Sequence, residues 1–205
     1  MHSRPASARA VSLVEIAGLI WLLSTPGCWR TDALPADDPS RLTIQLWSSA
    51  FADGGMIPKT FTCDGADRSP PLEWSGVPAS ARSIALLCDD PDAPMGTWSH
   101  WVVFNLSPEI RALKEGITAE ETISVVEGAK PAITARQGRN DFDKTGYGGP
   151  CPPSGTHRYF FRLYALDVEL ELGSTATRAD VLKAIQGHIL AEGRMIGKYQ
   201  RSGKG

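Results

Sequence analysis

The sequence predicts an all-β-dominated domain, a β-sandwich carrying one late α-helix. Three observations carry that prediction. Apolar and polar residues alternate in short runs, the period of a half-buried strand. Proline and glycine recur roughly every ten residues through the middle of the chain, which suits short strands joined by turns. The helical period of 3.6 shows clearly in one place, between Thr177 and Gly193.

Taken in order, Leu42, Ile44 and Leu46 alternate with Thr43, Gln45 and Trp47 and give a first strand, which ADGG at 52–55 turns. Residues 57–62 are expected as a second short strand, followed by the long turn CDGADRSPP. The runs at 83–88 and 101–106 are the most apolar and belong at the centre of a sheet. Residues 121–126 add a short strand. Residues 157–167 form a long aromatic one, with His157, Tyr159, Phe161, Leu163 and Ala165 on one face and Arg158, Phe160, Arg162, Tyr164 and Leu166 on the other. Thr177 is a good N-cap with Asp180 three residues on. Val181, Leu182, Ile185, Ile189 and Leu190 then share a helical face, with Gly193 expected to close it and MIGKYQ as a last strand.

The chain of 205 residues divides by composition. Residues 1–28 join Arg4 and Arg9 to an apolar run from 11 to 23 and a small-residue end, as in an export signal. Cys28 after Gly27 suggests a lipoprotein type of cleavage, with lipidation of Cys28; plain secretion or an uncleaved anchor are the alternatives. Residues 29–40 read as a linker, and 41–205 as one domain. The chain is expected to be exported, as a periplasmic protein or a membrane-anchored lipoprotein, with the membrane met only through a signal or lipid anchor. Formal charge is −2 over the whole chain, with no basic block, so nucleic acid is not an expected partner. Of the other cysteines, Cys88 ends an apolar run and reads as core, whereas Cys63 and Cys151 lie in turns. A Cys63–Cys151 disulfide is the favoured pairing, against three free buried thiols. There is no CxxC, HxH or HxxxH spacing, so no metal or cofactor is expected.

Two turns hold the chemistry. DDPDAPMGTWSHWVVFNL (89–106) leaves an apolar run on Asp89 and Asp90, turns through two prolines, and re-enters through Trp98, His100 and Trp101. KTGYGGPCPPSGTHRY (144–159) is rich in glycine and proline and ends on His157. If both lie at one end of a sandwich, two imidazoles, Asp90 and Asp92 meet there. Rigid turns with free backbone N–H groups and histidines suit a small anion. A P-loop and a GxSxG elbow are both absent, and Ser99 points to the opposite face from its neighbour His100, so a Ser–His pair is not expected.

DPDAP (90–94), the W-x-H-W-V-V-x-N run (98–105), SPPLEW (69–74) and YGGPCPPSGTHRY (147–159) together resemble the phosphatidylethanolamine-binding protein family, and most of all its bacterial Raf-kinase-inhibitor-like branch. The resemblance spans residues 42 to 201. It implies a Greek-key β-sandwich with the C-terminal helix and short peripheral helices, a cis peptide before Pro94, and one small anion-binding cavity. Carried over residue by residue, that cavity takes Asp90, Asp92, Pro94, His100, Gly149, Pro152, His157 and Tyr159. Asp90 and Asp92 would orient the imidazoles, and His100 and His157 would offer N–H donors to phosphate or a phosphorylated head group. Trp74 of SPPLEW is expected in the core. Eukaryotic members often carry two histidines after the tryptophan; here the pair is Ser99-His100. The expected function is non-catalytic binding of a small anionic ligand. The alternatives are an inhibitor or regulator of a protease or kinase that docks through the pocket rim, and a weak hydrolase using the Asp–His cluster.

Overall fold

The structure is a computed structural model that describes residues 2, 40, 41, 44–125 and 133–201. The expectations for the export signal, Cys28, most of the linker and the start of the first strand (Leu42, Thr43) fall outside those residues.

Among the described residues, nine strands form two antiparallel sheets. β1 (Gln45–Trp47), β2 (Leu72–Ser75) and β5 (Ala112–Leu113) make a small sheet in the order β1-β2-β5. β3 (Ser83–Asp90), β4 (Trp98–Leu106), β6 (Thr122–Ser124), β7 (Thr134–Gln137), β8 (Thr156–Leu166) and β9 (Ile189–Gln200) make a large one in the order β6-β7-β4-β3-β8-β9. The connection from β7 to β8 passes β4 and β3, a Greek-key kind of crossover.

The two apolar runs occupy the middle of the large sheet, as their composition requires. Along β3, Ile84, Leu86 and Cys88 enter the core beneath the small sheet, with Leu72, Trp74 and Trp101. Ala85 and Leu87 enter a second core with Val102, Phe104 and the helix residues Val181, Leu182 and Ile185. Burial on both faces explains why β3 is continuously apolar where an exposed strand alternates. Trp74 is buried in the core, as expected.

Two boundaries differ from the sequence reading. Residues 57–62 are not a strand: Lys59–Phe61 is a single 3₁₀ turn, and Ile57 donates to the Lys198 carbonyl at 2.7 Å. α1 spans Arg178–Ala184, opened by the expected Thr177–Asp180 capping box. It stops well before Gly193, and Ile189 and Leu190 begin β9 instead. Helical and strand periods cannot be told apart in that short stretch; the full-length pairing of β9 with β8 decides it. Gly193 is needed for a different reason. A Cβ there would sit 2.8 Å from the Ile44 carbonyl oxygen, because the chain before β1 crosses β9 and covers its edge.

Candidate functional site

The site grows from the alternation of β3. Asp89 follows Leu87 to the helix face, where Arg178 Nε lies 2.9 Å from its carboxylate. Burial pushes this carboxyl up, and the Arg178 charge opposes the shift. Asp90 follows Cys88 to the opposite face. Its Oδ2 accepts from His157 Nδ1 at 2.7 Å, and its Oδ1 accepts from the Asp92 N–H at 2.9 Å. His157 reaches it because Tyr159 and Phe161 of β8, two and four residues on, also face that core.

Alternation alone would misplace His100. Trp101 and Val103 face the core beneath the small sheet, so His100 would side with Val102 and Phe104. A register shift corrects this. Trp101 opposes Cys88 and Ser99 opposes Asp89, which leaves His100 as one extra residue on β4. A bulge of this kind re-aims the inserted side chain. The His100 ring accordingly lies edge-on to Tyr159 and to Phe142, each at 5.1 Å between centroids.

These groups line a cavity of about 330 Å³. The β3–β4 turn supplies Asp90, Ala93, Pro94 and Met95, and β4 supplies Trp98 and His100. Phe142, Cys151, Pro152, Pro153 and His157 complete the wall. Asp90 is 3% exposed, His100 2% and His157 8%, whereas Met95 at the rim is 93% exposed.

The ring nitrogens are assigned by their partners. His100 Nδ1 lies 2.6 Å from the Gly148 carbonyl oxygen. A carbonyl only accepts, so Nδ1 carries the proton and Nε2 is the open ring atom. Burial holds the His100 pKa below its ordinary 6.5, more than the Gly148 hydrogen bond raises it. His100 is therefore neutral at pH 7, and its Nε2 accepts. The sequence reading had both imidazoles as N–H donors, and for neutral His100 the geometry reverses that role. In His157 the Asp90 carboxylate fixes the proton on Nδ1 in the same way, again leaving Nε2 open. Burial, then the Asp90 charge, pushes the Tyr159 phenol well above its usual range, so it stays protonated.

Five of the eight carried-over residues line the cavity: Asp90, Pro94, His100, Pro152 and His157. Tyr159 stands behind them, its ring against His100. Asp92 turns away and clamps the loop to β8, accepting from Arg158 Nε at 2.9 Å, Nη2 at 2.7 Å and the backbone N–H at 2.9 Å. That ion pair holds its carboxyl below the usual value. Asp92 thus orients neither imidazole. Gly149 packs against Asp67, Phe61 and Thr62 and donates its N–H to Asp67 Oδ1 at 2.7 Å, so it supports the wall from outside. Cys63 and Cys151 are joined in a disulfide, which anchors the wall at Cys151, and Cys88 is a free buried thiol.

Phe142 is the residue the sequence reading missed. Asn140 places it: Asn140 Oδ1 accepts from the Phe142 N–H at 3.0 Å while its Nδ2 donates to the Gly146 carbonyl at 2.9 Å. Gly148 makes room, since a Cβ there would lie 2.6 Å from the Phe142 ring. An isolated phenylalanine in a polar turn was the available signal. No cluster able to hold a metal occurs among the described residues.

The phosphatidylethanolamine-binding protein family model matches residues 47–200. A UPF0098 protein of Methanothermobacter thermautotrophicus is 50% identical over 158 residues, 77% of this chain and 99% of the relative. One from Aquifex aeolicus is 44% identical, covering 77% and 89%. Among solved structures, a putative homolog of the family from Chlamydia trachomatis superposes with a TM-score of 0.69 at 41% identity, over 78% of this chain and 99% of that one. E. coli YbcL, described as a new member of the mammalian family, gives 0.68 at 31% identity, over 78% and 99%. With the fold, the motifs and these matches in agreement, the chain belongs to the phosphatidylethanolamine-binding protein family.

Proposed function

We propose that this domain is a non-catalytic binding protein whose pocket takes a small phosphate-class anion bearing an apolar substituent. One observation carries the reading: two imidazoles, each tied at Nδ1, leave Nε2 toward one cavity walled by Trp98, Phe142 and prolines. Pockets of this kind, mostly apolar with a few fixed polar atoms, bind small molecules. The groups that chemistry would need are otherwise engaged. Both Asp90 oxygens accept hydrogen bonds, and Cys151 is in the disulfide. Ser99 lies opposite Asp89 on the other face of the sheet. Export of the protein belongs to the same proposal, and the Cys63–Cys151 bond supports it, since disulfides persist in oxidising compartments.

The test is an NMR titration of the full chain with inorganic phosphate and with phenyl phosphate at pH 6. The His100 and His157 resonances should move and saturate, while His188, paired with Asp167 at 2.8 Å, stays in place. Fixed His100 and His157 resonances would refute the reading. A second reading, docking of a protein partner on the rim, is favoured by Met95, an apolar side chain almost fully in solvent beside Pro94.

A further inference from the structure

We infer that the pocket selects a phosphate-class ligand as its singly protonated monoanion, with the ligand's own proton donated to Nε2 of His100. The inference rests on the binding reading above and specifies its ligand.

Two independent observations lead to it. The first is the tautomer of His100. The Gly148 carbonyl takes the Nδ1 proton at 2.6 Å, so the neutral ring turns an acceptor, not a donor, to the cavity. Phosphate oxygens that are fully ionised only accept. Facing Nε2, such an oxygen would set two lone pairs against each other in a closed site. A protonated phosphate oxygen supplies the missing donor.

The second observation is charge. Asp90 lines the cavity, and no lysine or arginine does among the described residues. The other groups facing His100 add no cation. Asp141 accepts from the Ser99 N–H at 2.6 Å, Asp67 accepts from Gly149, and the Tyr159 ring lies edge-on. His157 is paired with Asp90, and that pair carries no net positive charge. A dianion would enter this site with no net positive charge to meet it, whereas a monoanion carries half the charge and brings a donor. The neutral state of His100 is consistent with its burial, which disfavours the imidazolium.

The division of labour follows. The ionised oxygen falls to the His157 side of the cavity. His100 Nε2 meets the hydroxyl oxygen. Trp98, Phe142 and Met95 lie where the ester substituent would pack. His100 becomes the residue that reads the ligand's protonation state, through a bulge and a backbone carbonyl rather than through its own charge.

The experiment compares phenyl phosphate with phenyl sulfate by calorimetry on the full chain from pH 6 to pH 8. The two have the same shape, but the sulfate ester is a monoanion without a proton. The state of the protein is common to both ligands, so their affinity ratio isolates the ligand's proton. Phenyl phosphate should bind about tenfold more tightly at pH 6, as expected when an acceptor would otherwise be left unmet. That ratio should fall by roughly 50-fold by pH 8, because a phosphate monoester loses its second proton near pH 6. The variant His100→Phe should abolish the preference at pH 6. A ratio near one that is flat with pH, with both ligands bound, would overturn the inference and leave the binding reading intact. Absence of binding by both ligands would overturn both. If His100→Phe fails to fold, the wild-type ratio still decides.

Discussion

Asp90→Asn is the most informative single change in the pocket. The wild-type carboxylate has two acceptor oxygens for two donors, the Asp92 N–H at 2.9 Å and His157 Nδ1 at 2.7 Å. An amide of the same shape has one acceptor and one donor. The backbone N–H cannot change its role, so the amide oxygen should stay on Asp92 and the amide nitrogen turn to His157. The imidazole can adapt: it moves its proton to Nε2 and accepts at Nδ1. Both hydrogen bonds lose their ionised acceptor, a loss of about 1–3 kcal/mol. The fold should survive, since the domain keeps both cores. Two measurements check this. Urea unfolding should show a lower midpoint at unchanged slope, and ¹⁵N shifts of His157 should move from the Nδ1–H to the Nε2–H pattern. An unchanged tautomer with unchanged stability would show that Asp90 does not set the ring.

Gly149→Ala should disrupt the wall, because Gly149 is buried. The new Cβ would lie 2.4 Å from Asp67 Oδ1 and 2.8 Å from the Phe61 carbonyl oxygen, and backbone cannot step aside, so about 1–3 kcal/mol should be lost in thermal unfolding. Reduction by a dithiol should cost more still: the bond closes a loop of 88 residues, worth ~4–5 kcal/mol by chain entropy, read as the shift in urea midpoint on adding the reductant. Stability should also depend on pH through His100. Its folded pKa lies below the ordinary 6.5, so the folded state binds the proton less well; the contribution is complete above that value and is lost as the pH falls through the folded pKa. Urea midpoints between pH 7.5 and pH 5 should decline in the wild type and decline less in His100→Phe.

The fold was legible where the sequence carries a period and a composition together. The runs at 83–88 and 101–106 announced central strands because a strand buried on both faces must be apolar throughout. The Thr177–Asp180 box announced a helix start, and the structure has it. Errors came where one signal had two physical meanings. Gly193 looked like a helix stop, but it is glycine because Ile44 crosses β9 there. Residues 57–62 looked like a strand, yet they lie against the β9 edge in a 3₁₀ turn, pairing with it through one residue. β5 and β7 gave no usable period, being two and four residues long.

The candidate site was legible as a set of residues and illegible as a set of roles. Motif order brought Asp90, His100 and His157 into one group, and the cavity holds all three. Period two alone would put Asp90 and His157 on one face, and the structure does so because β3 and β8 pair without interruption from Ser83 to Asp89. The same reasoning sends His100 to the wrong face, and it fails because an extra residue enters β4 between Ser99 and Trp101. No local sequence rule marks that insertion: it depends on how β4 registers against β3. The bulge also decides the chemistry. It swings the His100 ring under the Gly148 carbonyl, which takes the Nδ1 proton, so a histidine expected to donate comes to accept. Asp92, two residues from Asp90 and of the same type, falls to the other side of the turn and clamps Arg158. Residue identity therefore marks the neighbourhood of this pocket, and strand register assigns the work within it.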